Sequence, residues 1–172
     1  GNGDDSITLG ATGLDNIDAS LGDGTNDSLT LADDGNTVVL TLSGVETVSA
    51  GSGDDDITLS STADGATINL GAGNDTVNVS ADLTGTIDGG DGTNTLSVTG
   101  SADLTDATLS NIDNIDLDGG DLTLTASQVE GFGDAVTFNQ VGSESVNLEV
   151  GSDDVDISAN TSLATNGLNN VD

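Results

Sequence analysis

The sequence predicts an all-β chain wound as a right-handed parallel β-solenoid, a β-roll or β-helix with about 20 residues per coil. Three observations carry that prediction. A glycine-punctuated motif recurs at a near-constant interval. After each copy aliphatic and polar residues alternate, the pattern of a strand with one buried face. The apolar inventory is thin: the 172-residue chain is 33% hydrophobic and Phe132 and Phe138 are its only aromatic residues. A narrow, repeated interior fits that inventory better than a thick globular core.

The motif is G-x-G-x-D-x-U-x-U, where U is aliphatic. It reads Gly1-Asn2-Gly3-Asp4-Asp5-Ser6-Ile7-Thr8-Leu9, Gly51-Ser52-Gly53-Asp54-Asp55-Asp56-Ile57-Thr58-Leu59 and Gly71-Ala72-Gly73-Asn74-Asp75-Thr76-Val77-Asn78-Val79. A fourth copy, Gly90-Asp91-Gly92-Thr93-Asn94-Thr95-Leu96-Ser97-Val98, carries Asn in the Asp place, and a fifth, Gly22 to Leu31, runs one residue long. The starts at 1 and 22 differ by 21, those at 51 and 71 by 20 and those at 71 and 90 by 19, which is one coil per repeat.

A second pattern interleaves with the first: Gly13-Leu14-Asp15-Asn16-Ile17-Asp18, Gly44-Val45-Glu46-Thr47-Val48-Ser49, Asn111-Ile112-Asp113-Asn114-Ile115-Asp116 and Gly167-Leu168-Asn169-Asn170-Val171-Asp172. It reads as a second recurring strand and corner. Each coil therefore has room for two or three short strands joined at Gly/Asp/Asn corners. One coil cannot bury its own apolar face, so stability comes from stacking at about 4.8 Å. Ile57/Leu59, Ile68/Leu70, Val77/Val79 and Leu96/Val98 are expected to point inward as ladders, with Thr and Asn outward. Right-handed winding follows from the crossover preference of parallel strands.

Two stretches are expected: regular cation-binding coils over 1–118, then less regular coils with a short insertion over 119–172. Ser127-Gln128-Val129-Glu130 has capping-box spacing, but Gly131 follows at once, which leaves room for a single helical turn. Phe132 and Phe138 are read as plugs of an irregular coil or of an insertion.

Charge sets the partners. There are 31 acidic residues and no Lys, Arg or His, a formal net charge of -31. Side chains cannot form an ion pair with one another, and nucleic acid and anionic membranes are repelled. No stretch reaches the roughly 20 apolar residues of a spanning helix, so no membrane insertion is expected. Multivalent cations remain. Without them, a chain this charged is expected to be disordered. Cys is absent, so no disulfide framework exists. Gly1 opens inside a repeat, so the chain is read as a fragment or a mature product.

The motif's glycines allow backbone conformations that let carbonyl oxygens turn toward one point beside the Asp carboxylate. Hard oxygens suit calcium. Asp55 and Asp75, one coil apart, would repel by roughly 3 to 4 kcal/mol at an effective dielectric of 20 unless a cation lies between them. Two oxygens across one calcium lie about 4.6 to 5.2 Å apart, close to the coil spacing, whereas magnesium's shorter bonds fit less well. The candidate ligands are Gly1, Gly3, Asp4, Asp5, Asp23, Asp27, Gly51, Gly53, Asp54, Asp55, Gly71, Gly73, Asp75, Gly90, Asp91, Gly92 and Asn94, for several calcium ions. Asp15, Asp18, Glu46, Asp113 and Asp116 read as a solvated acidic face. Metal-free Asx turns are the alternative account of the same corners.

At these loops the sequence resembles the RTX (repeats-in-toxin) nonapeptide family, whose G-G-x-G-x-D-x-U-x pattern forms a calcium-bound parallel β-roll in secreted bacterial proteins. The resemblance implies carbonyl ligands from the glycine pairs at 1/3, 51/53 and 71/73, and carboxylates from Asp5, Asp55 and Asp75. The motif occurs here once per 20 residues or so rather than twice per 18-residue turn, so calcium is expected along one edge. Leu109 to Leu117 and Leu122 to Gln128 are similar to segments of bacterial S-layer and very large repetitive surface proteins.

Catalysis is not expected: His, Cys, Lys, Arg and Tyr are all absent, which removes most general bases, nucleophiles and oxyanion stabilisers. The leading expectation is a secreted bacterial protein of the cell surface, a calcium-stabilised rod. It would assemble with copies of itself into a layer or filament, or stand as a stalk. The alternative is an adhesion module that binds polysaccharide or ice through a Thr/Asn/Asp-rich face, with Thr123-Leu124-Thr125 as an example of the Thr-x-Thr such a face would repeat.

Overall fold

Strand-forming runs of two to seven residues rich in Val, Ile, Leu and Thr, cut by Gly and Asp corners, build three parallel sheets. The computed structural model describes residues 1–10, 12–60, 65–132, 135–140, 145–149 and 170–171. Sheet one contains β1 (Ser6–Thr8), β3 (Ser28–Thr30), β5 (Thr47–Ser49), β7 (Thr67–Asn69), β9 (Gly85–Asp88) and β12 (Ala107–Ser110), in that spatial order. Sheet two runs β2 (Asn16–Ser20), β4 (Thr37–Ser43), β6 (Asp56–Leu59), β8 (Thr76–Val79), β10 (Thr95–Val98), β13 (Asn114–Leu117) and β15 (Thr137–Gln140). Sheet three joins late, with β11 (Ala102–Asp103), β14 (Leu122–Thr125), β16 (Val146–Glu149) and β17 (Asn170–Val171). All pairings are parallel. The chain is a β-solenoid, as the repeat predicts.

Register confirms the coil length. Asp56 pairs with Thr76, Thr76 with Thr95 and Thr95 with Asn114. The steps lengthen at both ends, where Asn16 pairs with Val39 and Asn114 with Thr137. Like side chains stack inward: Leu29, Val48, Ile68 and Ile87 in sheet one, and Ile57, Val77, Leu96 and Ile115 in sheet two, each at 0% exposure. Every such residue contributes about 1.5 to 3 kcal/mol by leaving water. Neighbours are one strand spacing apart, so the core is continuous along the stack.

The two sequence patterns do not map one to one onto sheets. Motif copies at 1 and 22 lead into β1 and β3 of sheet one, whereas those at 51, 71 and 90 lead into β6, β8 and β10 of sheet two. The second pattern likewise supplies β2 and β13 to sheet two but β5 to sheet one. Both corners tolerate the same Gly/Asp chemistry, so the motif marks a corner rather than a particular sheet. Residues 167–169 and 172 of its last copy lie outside the described residues.

Close stacking explains the glycines best at Gly71, whose φ is +104° and where a Cβ would collide with the Gly51 carbonyl oxygen. Only glycine allows both the conformation and the approach.

The insertion differs from its expected form. Helix α1 spans Ala126–Phe132, seven residues rather than one turn, and passes through Gly131. Its cap lies two residues earlier than Ser127–Glu130: Gln128 Oε1 accepts the Thr125 N–H (2.7 Å) and the Gln128 N–H donates to Thr125 Oγ1 (3.2 Å). This reciprocal box starts the helix early enough for two turns. Gln128 Nε2 donates to Leu104 O and Ala107 O, 2.7 and 2.8 Å away, tying α1 to the coil before it. In chain order α1 takes the place between β14 and β15 that β12 holds between β11 and β13, and sheet one ends there. Phe132, the last residue of α1, and Phe138 of β15 sit together, ring centroids 6.4 Å apart, with Phe138 buried.

Candidate functional site

Two columns of polar side chains run through the corners. The first leads into sheet one: the Asp5 N–H donates to Asp27 Oδ1 (2.7 Å) and the Asp27 N–H to Glu46 Oε2 (2.6 Å). The second leads into sheet two and is longer. The Asn36 N–H donates to Asp55 Oδ1 (2.6 Å), that of Asp55 to Asp75 Oδ1 (2.8 Å), that of Asp75 to Asn94 Oδ1 (3.1 Å) and that of Asn94 to Asp113 Oδ2 (2.7 Å). Each side chain thus caps a backbone N–H of the preceding coil, at a corner where no strand partner exists.

Burial makes these columns unusual. Asp27 is 0% exposed, Asp55 2%, Asp75 1% and Asn94 0%. One oxygen of each Asp makes the bond just described. The other, Asp27 Oδ2, Asp55 Oδ2 and Asp75 Oδ2, has no hydrogen-bond partner among the described residues. At the asparagine rungs the corresponding atom is a donor. Asn94 Nδ2 donates to Gly90 O (3.4 Å) and Asn111 O (3.0 Å). Asn36 Nδ2 donates to Ala32 O (3.0 Å), Asp34 O (2.9 Å) and Asp55 Oδ1 (2.7 Å). An amide fits the corner unaided, whereas a carboxylate leaves a buried charge with an open lone pair, a costly state.

Titration behaviour agrees. Burial pushes the Asp55 carboxyl above its ordinary range against the Asn36 hydrogen bonds, and the charges of Asp75 and Asp54 push the same way. Burial also raises Asp75, with the Asp55 N–H opposing and Asp54 adding to the rise. Asp88 is lowered, chiefly by the hydrogen bond from Asn111.

The structure brings together Asp55, Asp75 and Asn94, and separately Asp5 and Asp27. It does not bring Asp4, Asp23, Asp54 or Asp91 into either column: all four are exposed at the corners. Asp54 Oδ1 accepts the Asn74 N–H (2.7 Å) and Asp4 Oδ2 the Asn26 side-chain amide (3.3 Å). The Gly1, Gly51 and Gly71 carbonyls accept the N–H groups of Asp23, Ala72 and Asp91 one coil on. Gly53 and Gly73 donate to Ala72 O and Asp91 O. Gly92 packs against Gly73 O, and Gly3 is exposed. Gly90, besides its carbonyl's bond to Asn94, donates its N–H to Asp88 Oδ1 (3.1 Å).

Three column members lie outside the G-x-G-x-D motif: Asn36, Glu46 and Asp113. Glu46 and Asp113 are not simply a solvated face, since each accepts the last backbone N–H of a column. Counting 19 residues back from Asp55 and on from Asp27 and Asn94 finds all three.

With no Lys, Arg or His in the sequence, the positive partner for the three orphan oxygens has to come from solvent. Carboxylate and carbonyl oxygens are the donor set of a hard cation such as calcium, and that donor chemistry fits. No three carboxylates cluster among the described residues. A calcium held here would therefore rely on one or two carboxylates per rung with carbonyls and water, the ligand count of a weak extracellular-type site. Comparison with protein-family models, with curated proteins and with solved structures gave no match.

Proposed function

We propose that this chain is an extracellular, calcium-stabilised structural rod of the RTX-like kind, which assembles with copies of itself into a surface layer or filament or stands as a stalk. The observation that carries the reading is the buried carboxylates of the two columns: three oxygens unpartnered among the described residues, in a chain that has no basic side chain to satisfy them. Asp27, Asp55 and Asp75 would hold the ions, with Asp5, Glu46 and Asp113 at the column ends. Calcium there converts a desolvation cost into bonds and couples metal binding to folding.

Weak affinity suits this role. At the low calcium of a cytoplasm the rungs stay empty and the stack is at its least stable; outside, calcium loads them and the coils gain stability. Parallel strands stacked coil on coil, with sheet two continuous from β2 to β15, give a rod.

The test is a calcium titration followed by circular dichroism and electron microscopy on one sample. β signal that grows with calcium, together with filaments, sheets or rods, supports the reading. A spectrum indifferent to calcium and chelator refutes it.

A further inference from the structure

We propose that the outward face of sheet one binds ice, through two ranks of mainly hydroxyl-bearing side chains that hold water in the register of the ice lattice. Strand pairing aligns one rank as Ser6, Ser28, Thr47, Thr67, Thr86 and Thr108. The other, two residues on, is Thr8, Thr30, Ser49, Asn69, Asp88 and Ser110. Four of the six residues between the ranks, Leu29, Val48, Ile68 and Ile87, are fully buried, which points both ranks outward there, while Ile7 and Leu109 at the two ends are not.

Charge singles this face out. The chain carries 31 acidic residues, yet Asp88 is the one carboxylate at these twelve positions. Sheet two presents Asp18, Asp56 and Asp116 on its outward side. A face cleared of charge in a polyanion suits a neutral partner, because it holds few tightly hydrated counterions.

Spacing selects which neutral partner. Coils repeat at about 4.8 Å and alternate residues along a strand at about 6.6 to 6.8 Å. Tetrahedral water with hydrogen bonds of about 2.75 Å has second neighbours at about 4.5 Å and, along the stacking axis of its layers, a repeat of about 7.3 Å. Both mismatches are small enough for rotating hydroxyls to absorb over neighbouring coils. The Ser28 hydroxyl already bonds that of Ser6 across one coil step, at 3.0 Å. A single polysaccharide strand repeats in one dimension only. It would also want an aromatic platform, and the two Phe rings of this chain pack on each other elsewhere.

This inference goes beyond the scaffold reading and requires only the folded coils, so it is tested with calcium present and the β spectrum checked first. The measurement is thermal hysteresis together with uptake of the whole chain into a growing ice hemisphere. The folded chain should enter ice and show hysteresis. Thr47→Tyr with Thr67→Tyr should cut both at least fivefold, while Ser97→Tyr on sheet two leaves them unchanged; if the tyrosine pair does not fold, Thr86→Lys replaces it. A folded chain that is excluded from ice overturns the proposal, as does equal loss from Ser97→Tyr. Exclusion from ice with retention on an insoluble neutral glucan also overturns it. Loss of the calcium-dependent spectrum would instead count against the scaffold reading.

Discussion

Asn94 and Asp75 are neighbouring rungs of one column, equally buried and differing by an NH2 group for an oxygen. Asn94 satisfies both ends of its side chain: its oxygen takes the Asp75 N–H and its amide reaches Gly90 O and Asn111 O. Asp75 satisfies one end and leaves Oδ2 open. The same corner therefore works in two chemistries, one self-sufficient and one that needs a cation or a proton. Repeats that look degenerate in the sequence, with Asn in the Asp place, are the ones that need no ion.

The largest effect is expected from breaking an amide rung. Asn94→Leu leaves the Asp75 N–H and two carbonyls unpaired in a buried corner, a loss of roughly 4 kcal/mol at about 1 to 3 kcal/mol per orphaned group, read from the urea midpoint. Converting an amide rung into a carboxyl rung should cost less. Asn36→Asp places a second carboxylate where Asn36 Nδ2 now donates to Asp55 Oδ1. A loss of about 2 to 3 kcal/mol in chelator is expected, recovered in part by calcium; an equal loss with and without calcium would argue against the contrast drawn between the rungs.

Acid should narrow the contrast. Because Asp55 and Asp75 are raised above the ordinary value of 3.8, the folded chain holds their protons more tightly than the unfolded chain does. Their penalty is fully present above the raised values and fades as pH falls through them, since a protonated carboxyl donates as an amide does. In chelator, stability should rise as pH drops from neutral toward the carboxylate range. Asp88, lowered, gives up its contribution only below its ordinary value. A metal-free urea midpoint that falls throughout that descent would contradict this. The smallest effect belongs to the surface, where Asn139→Ala removes an exposed bond to Asp116 Oδ1 of 2.6 Å; about 0.5 kcal/mol is expected.

The coil was legible in the sequence for a physical reason. Parallel stacking demands a fixed step, and inward aliphatics recur at that step, so Ile57/Leu59, Ile68/Leu70, Val77/Val79 and Leu96/Val98 could be placed inside from spacing alone, and all are buried. Which corner a motif serves was not legible, because both corners use the same residues. The candidate acids divided for the same reason: Asp55 and Asp54 are adjacent in one motif, yet strand alternation sends one into the column and the other to the surface. Surface acids also prove less crowded than their count implies. Asp56, Asp88 and Asp116 each accept a bond from an Asn one coil on, Asn78, Asn111 and Asn139. That pairing is invisible until the register is known, and so are the two ranks of sheet one, which only parallel pairing assembles from scattered Ser and Thr.

If the orphan oxygens of Asp27, Asp55 and Asp75 are where calcium stabilises the stack, the difference shows directly between the wild-type chain and the Asp27→Asn, Asp55→Asn, Asp75→Asn triple variant in urea unfolding with chelator and with calcium. Wild type should gain about 4 kcal/mol at tenfold the dissociation constant if three independent sites fill, while the triple variant gains little and in chelator already matches the loaded wild type. An equal calcium gain in both proteins, or none in wild type, would contradict the account.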